Sequence, residues 1–204
     1  MGVTLAAGNS LEWFKRTFAD GVSFTDLLAE IGSVKPGSGG LLFTPYIVGE
    51  RTPYVDSRVR GSFVGIDTHH ELKHFTRSVL EGITFSLKDS QMIMKETAGK
   101  QFSKIISVGG GAKNRDWLQM QADIFDTPIA TLQTEQGPAF GAAMLAGIGC
   151  GWFKSEEDAA RELIHYRETI YPNSENSQIY QKLYQIYRQV YPQTRTICHE
   201  LVKF

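Results

Sequence analysis

A chain of 204 residues, 42% hydrophobic and 21% charged, has the length and composition of one large globular domain with a substantial core. Its formal net charge of −1 supplies no basic field that would gather nucleic acid or an anionic membrane surface. No run of about 18 apolar residues offers a membrane-spanning helix, and the two cysteines, Cys150 and Cys198, lack a metal or disulfide spacing, so two reduced thiols in a cytoplasmic protein are expected.

The chain opens on Val3-Thr4-Leu5-Ala6-Ala7-Gly8, which reads as the interior of a domain, and a fragment boundary is expected there. Asn9 or Ser10 is expected to cap a helix carrying Leu11, Phe14 and Phe18 on one side. Ser23 with Asp26 predicts a second helix start before Leu27, Leu28 and Ile31. A Gly/Pro-rich loop over 35–40 leads into an apolar strand over 41–43. Residues 45–60 form a long irregular stretch dense in charge, with Glu50, Arg51, Asp56, Arg58 and Arg60. Either Arg51 or Arg60 lies near a cleft and steers phosphate or sugar, or salt bridges fix the loop; the second reading is favoured.

Residues 61–66 read as a strand, and apolar positions at three- and four-residue spacing predict a long helix over 71–97. The histidines His69, His70 and His74 show no metal spacing and are read as surface residues at that helix start. Beyond it, strands over 104–108 and 128–132 alternate with helices over 114–125 and 137–149. Ser155 heads a further helix, and Tyr180, Leu183, Tyr184 and Tyr187 form the apolar face of the last. Ala139, Ala142, Ala143 and Ala146 form a small-residue stripe, read as close helix packing. Alternating strands and helices predict an α/β fold with a ligand at strand ends.

The chemical centre is a glycine turn, Gly109-Gly110-Gly111-Ala112-Lys113-Asn114, between a strand and a helix. Missing side chains admit a ligand against the backbone, and free N–H groups at a helix start favour anions; a tight turn needing positive φ explains the glycines equally well. A P-loop is excluded because Lys113 follows Ala112 rather than glycine, and the dinucleotide fingerprint fails because Asn114 stands where its third glycine belongs.

Gly61-Ser62-Phe63-Val64-Gly65-Ile66, followed after seven residues by His74-Phe75-Thr76-Arg77-Ser78-Val79-Leu80-Glu81, resembles the second signature of the FGGY carbohydrate kinases. The run from Gly109 to Ala112 resembles that family's adenosine-binding motif, and Gly137-Pro138-Ala139-Phe140-Gly141-Ala142-Ala143 its following small-residue helix. Within the family, the stretch from Phe43 to Pro53 is similar to the xylulokinase branch. Gluconokinases usually carry alanine where Thr52 stands and Gly-Gly-Phe in place of Gly110-Gly111-Ala112.

The resemblance implies an actin-like ATPase (ribonuclease H-like) α/β fold, of which residues 1–204 would form the C-terminal nucleotide-binding lobe. It implies ATP and Mg²⁺ as cofactors, ATP/ADP as partner, and a sugar bound mainly by an N-terminal lobe. The xylulokinase branch converts D-xylulose to D-xylulose 5-phosphate. Carried over by position, Gly109, Gly110, Gly111 and Ala112 would line the adenosine, Asn114 would bond the adenine edge or cap its helix, and Gly8 and Glu12 would approach from the other side. Glu12 departs from the glutamine of glycerol kinases and also reads as an exposed helix residue, and Glu135 and Gln136 face either phosphates or solvent. The family's catalytic aspartate belongs to the N-terminal lobe, and no aspartate here stands in its context. No catalytic residue and no metal ligand is therefore assigned in this chain, and the chain alone is expected to be inactive. A gluconokinase or other FGGY lobe, a nucleotide-sensing module without catalysis, and an oligomerisation domain are the competing readings; a homodimer is left open.

Overall fold

The computed structural model describes residues 2–134 and 137–204. In chain order these form α1 (Ala7–Phe18), α2 (Phe24–Leu28), β1 (Leu42–Thr44), β2 (Ser62–Val64), α3 (Leu72–Ala98), β3 (Ile105–Ile106) and α4 (Arg115–Phe125). After them come β4 (Ile129–Leu132), α5 (Gly137–Gly149), α6 (Glu156–Leu163), β5 (Tyr166–Ile170) and α7 (Ser174–Leu201).

The apolar period over 72–87 produces α3, the axis of the molecule, buried on almost every side from Thr76 to Ser90. Glu71 and His74 close a capping box at its start, so His74 is a half-buried structural residue rather than a surface one. Phe14 of α1, Phe43 of β1, Val79, Leu80, Ile83 and Phe85 of α3, and Tyr180, Tyr184 and Tyr187 of α7 share one core. A smaller core of Leu118, Ala122, Phe125, Ile129 and Ile170 lies under the second sheet. That sheet has the order β3-β4-β5, with β3 parallel to β4 and β5 antiparallel; β1 and β2 form a separate antiparallel pair.

Buried ion pairs tie the elements together. Glu81 accepts from Arg77 Nε at 2.9 Å, Tyr180 Oη at 2.8 Å, the Gly37 N–H at 3.0 Å and Ser38 Oγ at 2.9 Å. Arg77 also donates to the Ile31 carbonyl and to Tyr180 Oη, both at 2.7 Å. With each guanidinium nitrogen donating and both Glu81 oxygens accepting, the pair is satisfied inside the core. In the charged loop, buried Glu50 accepts from Thr4 and Ser86 hydroxyls and from the Leu5 and Arg51 N–H groups. Asp56 accepts from Tyr191, His199 and the Arg58 N–H, and Arg60 donates to the Ser57 and Val59 carbonyls. The loop over 45–60 is thus fixed, but of its charged residues only Asp56 enters salt bridges, with Arg195 and His199, among the described residues. Hydrogen bonds supply more of that hold than salt bridges do.

Two further expectations are corrected. Helix α1 starts at Ala7 with Ala6 as an N-cap lacking a side-chain bond, so neither Asn9 nor Ser10 caps it; Ser10 is buried inside the helix and donates to the Pro45 carbonyl at 3.4 Å. Docking against α3 supplies what the cap does not. The alanine stripe of α5 is not packed: Ala139, Ala142, Ala143 and Ala146 are all exposed, because the helix packs mainly on α6 and no other described element covers it. Strand β5 had no counterpart in the sequence reading. Its short mixed run, Tyr-Arg-Glu-Thr-Ile, becomes a strand through pairing with β4. Among the described residues, no helix is long and apolar enough to cross a membrane, and both cysteines are free.

Candidate functional site

Strand β3 delivers the chain to Gly109, whose φ of 81° and ψ of −160° are accessible only to glycine. A single 3₁₀ turn, Gly110–Lys113, follows, and the Ala112 N–H closes it on the Gly109 carbonyl. Asn114 then caps α4: its Oδ1 accepts the Trp117 N–H at 2.9 Å. Trp117 donates from Nε1 to Thr84 Oγ1 of α3 at 3.2 Å, and Gln121 bridges Ser107 and the Gly111 carbonyl. The turn is therefore braced from both sides.

Against it opens a cavity of about 770 Å³, within the range of small-molecule sites. Gly8, Leu11 and Glu12 of α1 form one wall, and Phe24, Thr25 and Leu28 of α2 a second. Gly110, Gly111, Lys113, Asn114, Asp116 and Trp117 complete it. Five of the sequence-nominated positions thus meet in one space: Gly8, Glu12, Gly110, Gly111 and Asn114. Gly109 lines an adjoining cavity of about 410 Å³ together with Val108, Gly137 and Pro138, and Gly110 and Lys113 border both. Ala112 lines neither cavity and serves the turn. Glu135 and Gln136 lie outside the described residues.

The glycines have separate reasons. Gly109 is required by its dihedrals. At Gly111 a Cβ would stand 3.3 Å from the Trp117 ring, a tight contact that favours the small residue. Gly110 and Gly8 have neither reason: their φ is ordinary, and a Cβ at either would meet no atom of the chain within 4 Å. Yet both face the cavity, and glycine in the first turn of α1 is less favourable than alanine. The open side of these two residues is the room that a flat ligand between α1 and the turn would use.

The α2 wall was missed by sequence reasoning. Phe24 and Leu28 look like core positions of a short helix, and their only signal was the i, i+4 pair. Phe24 in fact stands 44% exposed at the cavity edge. Arg51 and Arg60 line neither cavity. Among the described residues, no cluster of three His, Cys, Asp or Glu side chains could hold a metal.

The model of the C-terminal domain of the FGGY family of carbohydrate kinases matches residues 1–150. This chain belongs to that family. The FGGY domain here is 58% identical over 205 residues to a xylulose kinase of Lactococcus lactis, covering 100% of this chain and 41% of that protein. A gluconokinase of Bacillus subtilis is 32% identical over 192 residues, covering 88% of this chain and 37% of its own length. The crystal structure of a ligand-bound xylulose kinase from Lactobacillus acidophilus superposes with a TM-score of 0.86 at 30% identity, over 94% of this chain and 39% of that one. The FGGY domain accordingly has the α/β, actin-like ATPase fold of the family. It spans about two fifths of the length of these relatives.

Proposed function

We propose that the chain is the nucleotide-side lobe of an ATP-dependent xylulose kinase, with adenosine seated between α1, α2 and the glycine turn. The observation that carries the reading is the pair Gly8 and Gly110, two glycines that neither backbone nor packing requires, both lining one cavity. Glycine backbone and the Leu11, Phe24 and Leu28 side chains suit the faces of a purine and its ribose. Asn114 has a narrower role than an amide usually has. Its Oδ1 is engaged by the Trp117 N–H, which leaves Nδ2 to donate to a ring nitrogen. The phosphates run toward the adjoining cavity, where Lys113 and the first turn of α5 offer a cation and helix N–H groups.

Mg²⁺ neutralises phosphate charge in phosphoryl transfer and here would arrive on the nucleotide itself. This chain's part is to bind and orient the nucleotide. The sugar, D-xylulose, and the base that accepts its proton belong to the rest of the enzyme, and the product is D-xylulose 5-phosphate. Identity of 58% to a xylulose kinase against 32% to a gluconokinase favours xylulose over gluconate.

Calorimetric titration of ADP tests the site. The chain should bind ADP saturably, and Gly110→Val should weaken binding by about tenfold or more, roughly 1.4 kcal/mol. Asn114→Ala should weaken it less. No saturable binding by the parent chain, or affinity within twofold in Gly110→Val, would refute the assignment.

A further inference from the structure

Away from the nucleotide cavity, a groove of about 480 Å³ opens between the second half of α3, the C-terminal end of α4 and the middle of α7. The two cavities share no lining residue. Four cations line the groove: Lys88 and Lys95 of α3, Lys100 just beyond it, and Arg188 of α7. Asp126 is the one carboxylate among the lining residues. A local excess of positive charge therefore stands in a chain whose net charge is −1.

Among the described residues, none of the four enters a salt bridge, although Lys73, Arg77 and Arg195 find carboxylates elsewhere. Lys88 is buried, only 6% exposed; its ammonium donates to the Ile124 carbonyl and lies 5.1 Å from the centre of the Tyr184 ring. Arg188 lies 5.9 Å from the same ring. Burial lowers the Lys88 pKa, and Asp126 only partly offsets that. Asp126 itself accepts from Gln181 at 3.3 Å.

Capping the C-terminal carbonyls of α4 accounts for Lys88 alone. It leaves Lys95, Lys100 and Arg188 on the same groove with Asp126 as the one lining carboxylate, an excess of positive charge that an anion would offset. The guanidinium of Arg188 offers the fork that phosphate oxygens accept, the ammonium groups act as point charges, and the glutamine amides lining the groove add donors. Phe102 and Phe125 provide apolar wall for the body of a ligand.

We propose that this groove binds a phosphorylated small molecule carrying at least two negative charges, at a site separate from the nucleotide cavity. Pyrophosphate is the probe, titrated by calorimetry into the 204-residue chain in EDTA. Saturable binding is expected, weakening with added salt and by about tenfold or more in Lys95→Gln/Arg188→Gln, as charge-assisted contacts are lost. Gly110→Val, in the other cavity, should leave it within twofold. Both groove residues are exposed, so the double variant should keep the parent's circular dichroism and melting.

Protection of the exposed Lys95 and Lys100 from acetylation by pyrophosphate, read by mass spectrometry on the parent chain, supplies a measurement independent of any variant. Absence of saturable binding, sensitivity to Gly110→Val instead of the groove variant, or no protection of Lys95 and Lys100 would each overturn the proposal.

Discussion

Asp89 is a carboxylate held in the core. It sits in α3, 3% exposed, with Oδ1 accepting from Tyr184 Oη at 2.5 Å and Oδ2 without a partner. Burial raises its pKa from 3.8 to about 6, against the pull of the Tyr184 hydrogen bond and the charge of Arg188. The folded pKa lies above the unfolded one, so the protonated group favours the fold. That contribution is complete below about pH 3.8 and is lost as pH rises through about 6. Asp89→Asn cannot titrate. Its stability relative to the parent should improve by about 2 kcal/mol between about pH 4 and about pH 7. Urea unfolding at several pH values measures this, and a pH-independent difference would count against the assignment. Sequence alone could not single out Asp89 among the chain's aspartates, because burial, not neighbouring residue types, sets its behaviour.

At the scale of elements, two glycines in helices make opposite demands. A Cβ on Gly82 of α3 would stand 2.1 Å from the Phe43 carbonyl oxygen of β1, so helix and strand touch only because the side chain is missing. Gly82→Ala must push them apart, costing about 3 kcal/mol in overpacking, which exceeds the roughly 1 kcal/mol that alanine gains by helix propensity. For a chain of this size the net of about 2 kcal/mol is a fall in Tm of about 4–8 °C. Gly8→Ala, with open space at its Cβ, should leave Tm unchanged or raised while weakening ADP. Scanning calorimetry of the two variants decides between these outcomes. Gly82 lies one residue past the signature that runs from Gly61 to Glu81, and the signature residues share its task. Gly65 stands where a Cβ would lie 2.4 Å from the Gly40 carbonyl oxygen, and Arg77 and Glu81 close the buried network around Tyr180. The motif that marks the family in the sequence therefore builds the frame of the site rather than the site itself.

At the scale of the whole molecule, the chain presents a nucleotide-sized cavity and a surface made for further contact. Helix α5 is apolar yet exposed, and β3 stands at a sheet edge with Ile106 and Val108 exposed. Among the described residues, the carboxylates lining the cavity are Glu12 and Asp116. Neither occupies the context of the family's catalytic aspartate. The 204-residue chain should bind ADP yet show no xylulose-dependent ATP consumption in a coupled assay, and robust turnover by the purified chain would overturn this division of labour.

Much of this architecture was legible in the chain. The period of α3, the Ser23, Asn114 and Ser155 caps and the glycine turn are local features, expressed by residues within a few positions of one another. The sequence by itself also determined the family, because its signature is a dense set of packing constraints on consecutive residues. Only the tertiary structure decided which glycine has which reason. Gly109, Gly110 and Gly111 look alike in sequence and differ in dihedral, open space and the nearness of Trp117. Only it brought α2 to the cavity, made β5 a strand, left the α5 stripe uncovered and gathered Lys88, Lys95, Lys100 and Arg188 around one groove. Each of these is a relation between segments far apart in the chain. Such relations are set by packing and burial, which no local pattern of residues encodes.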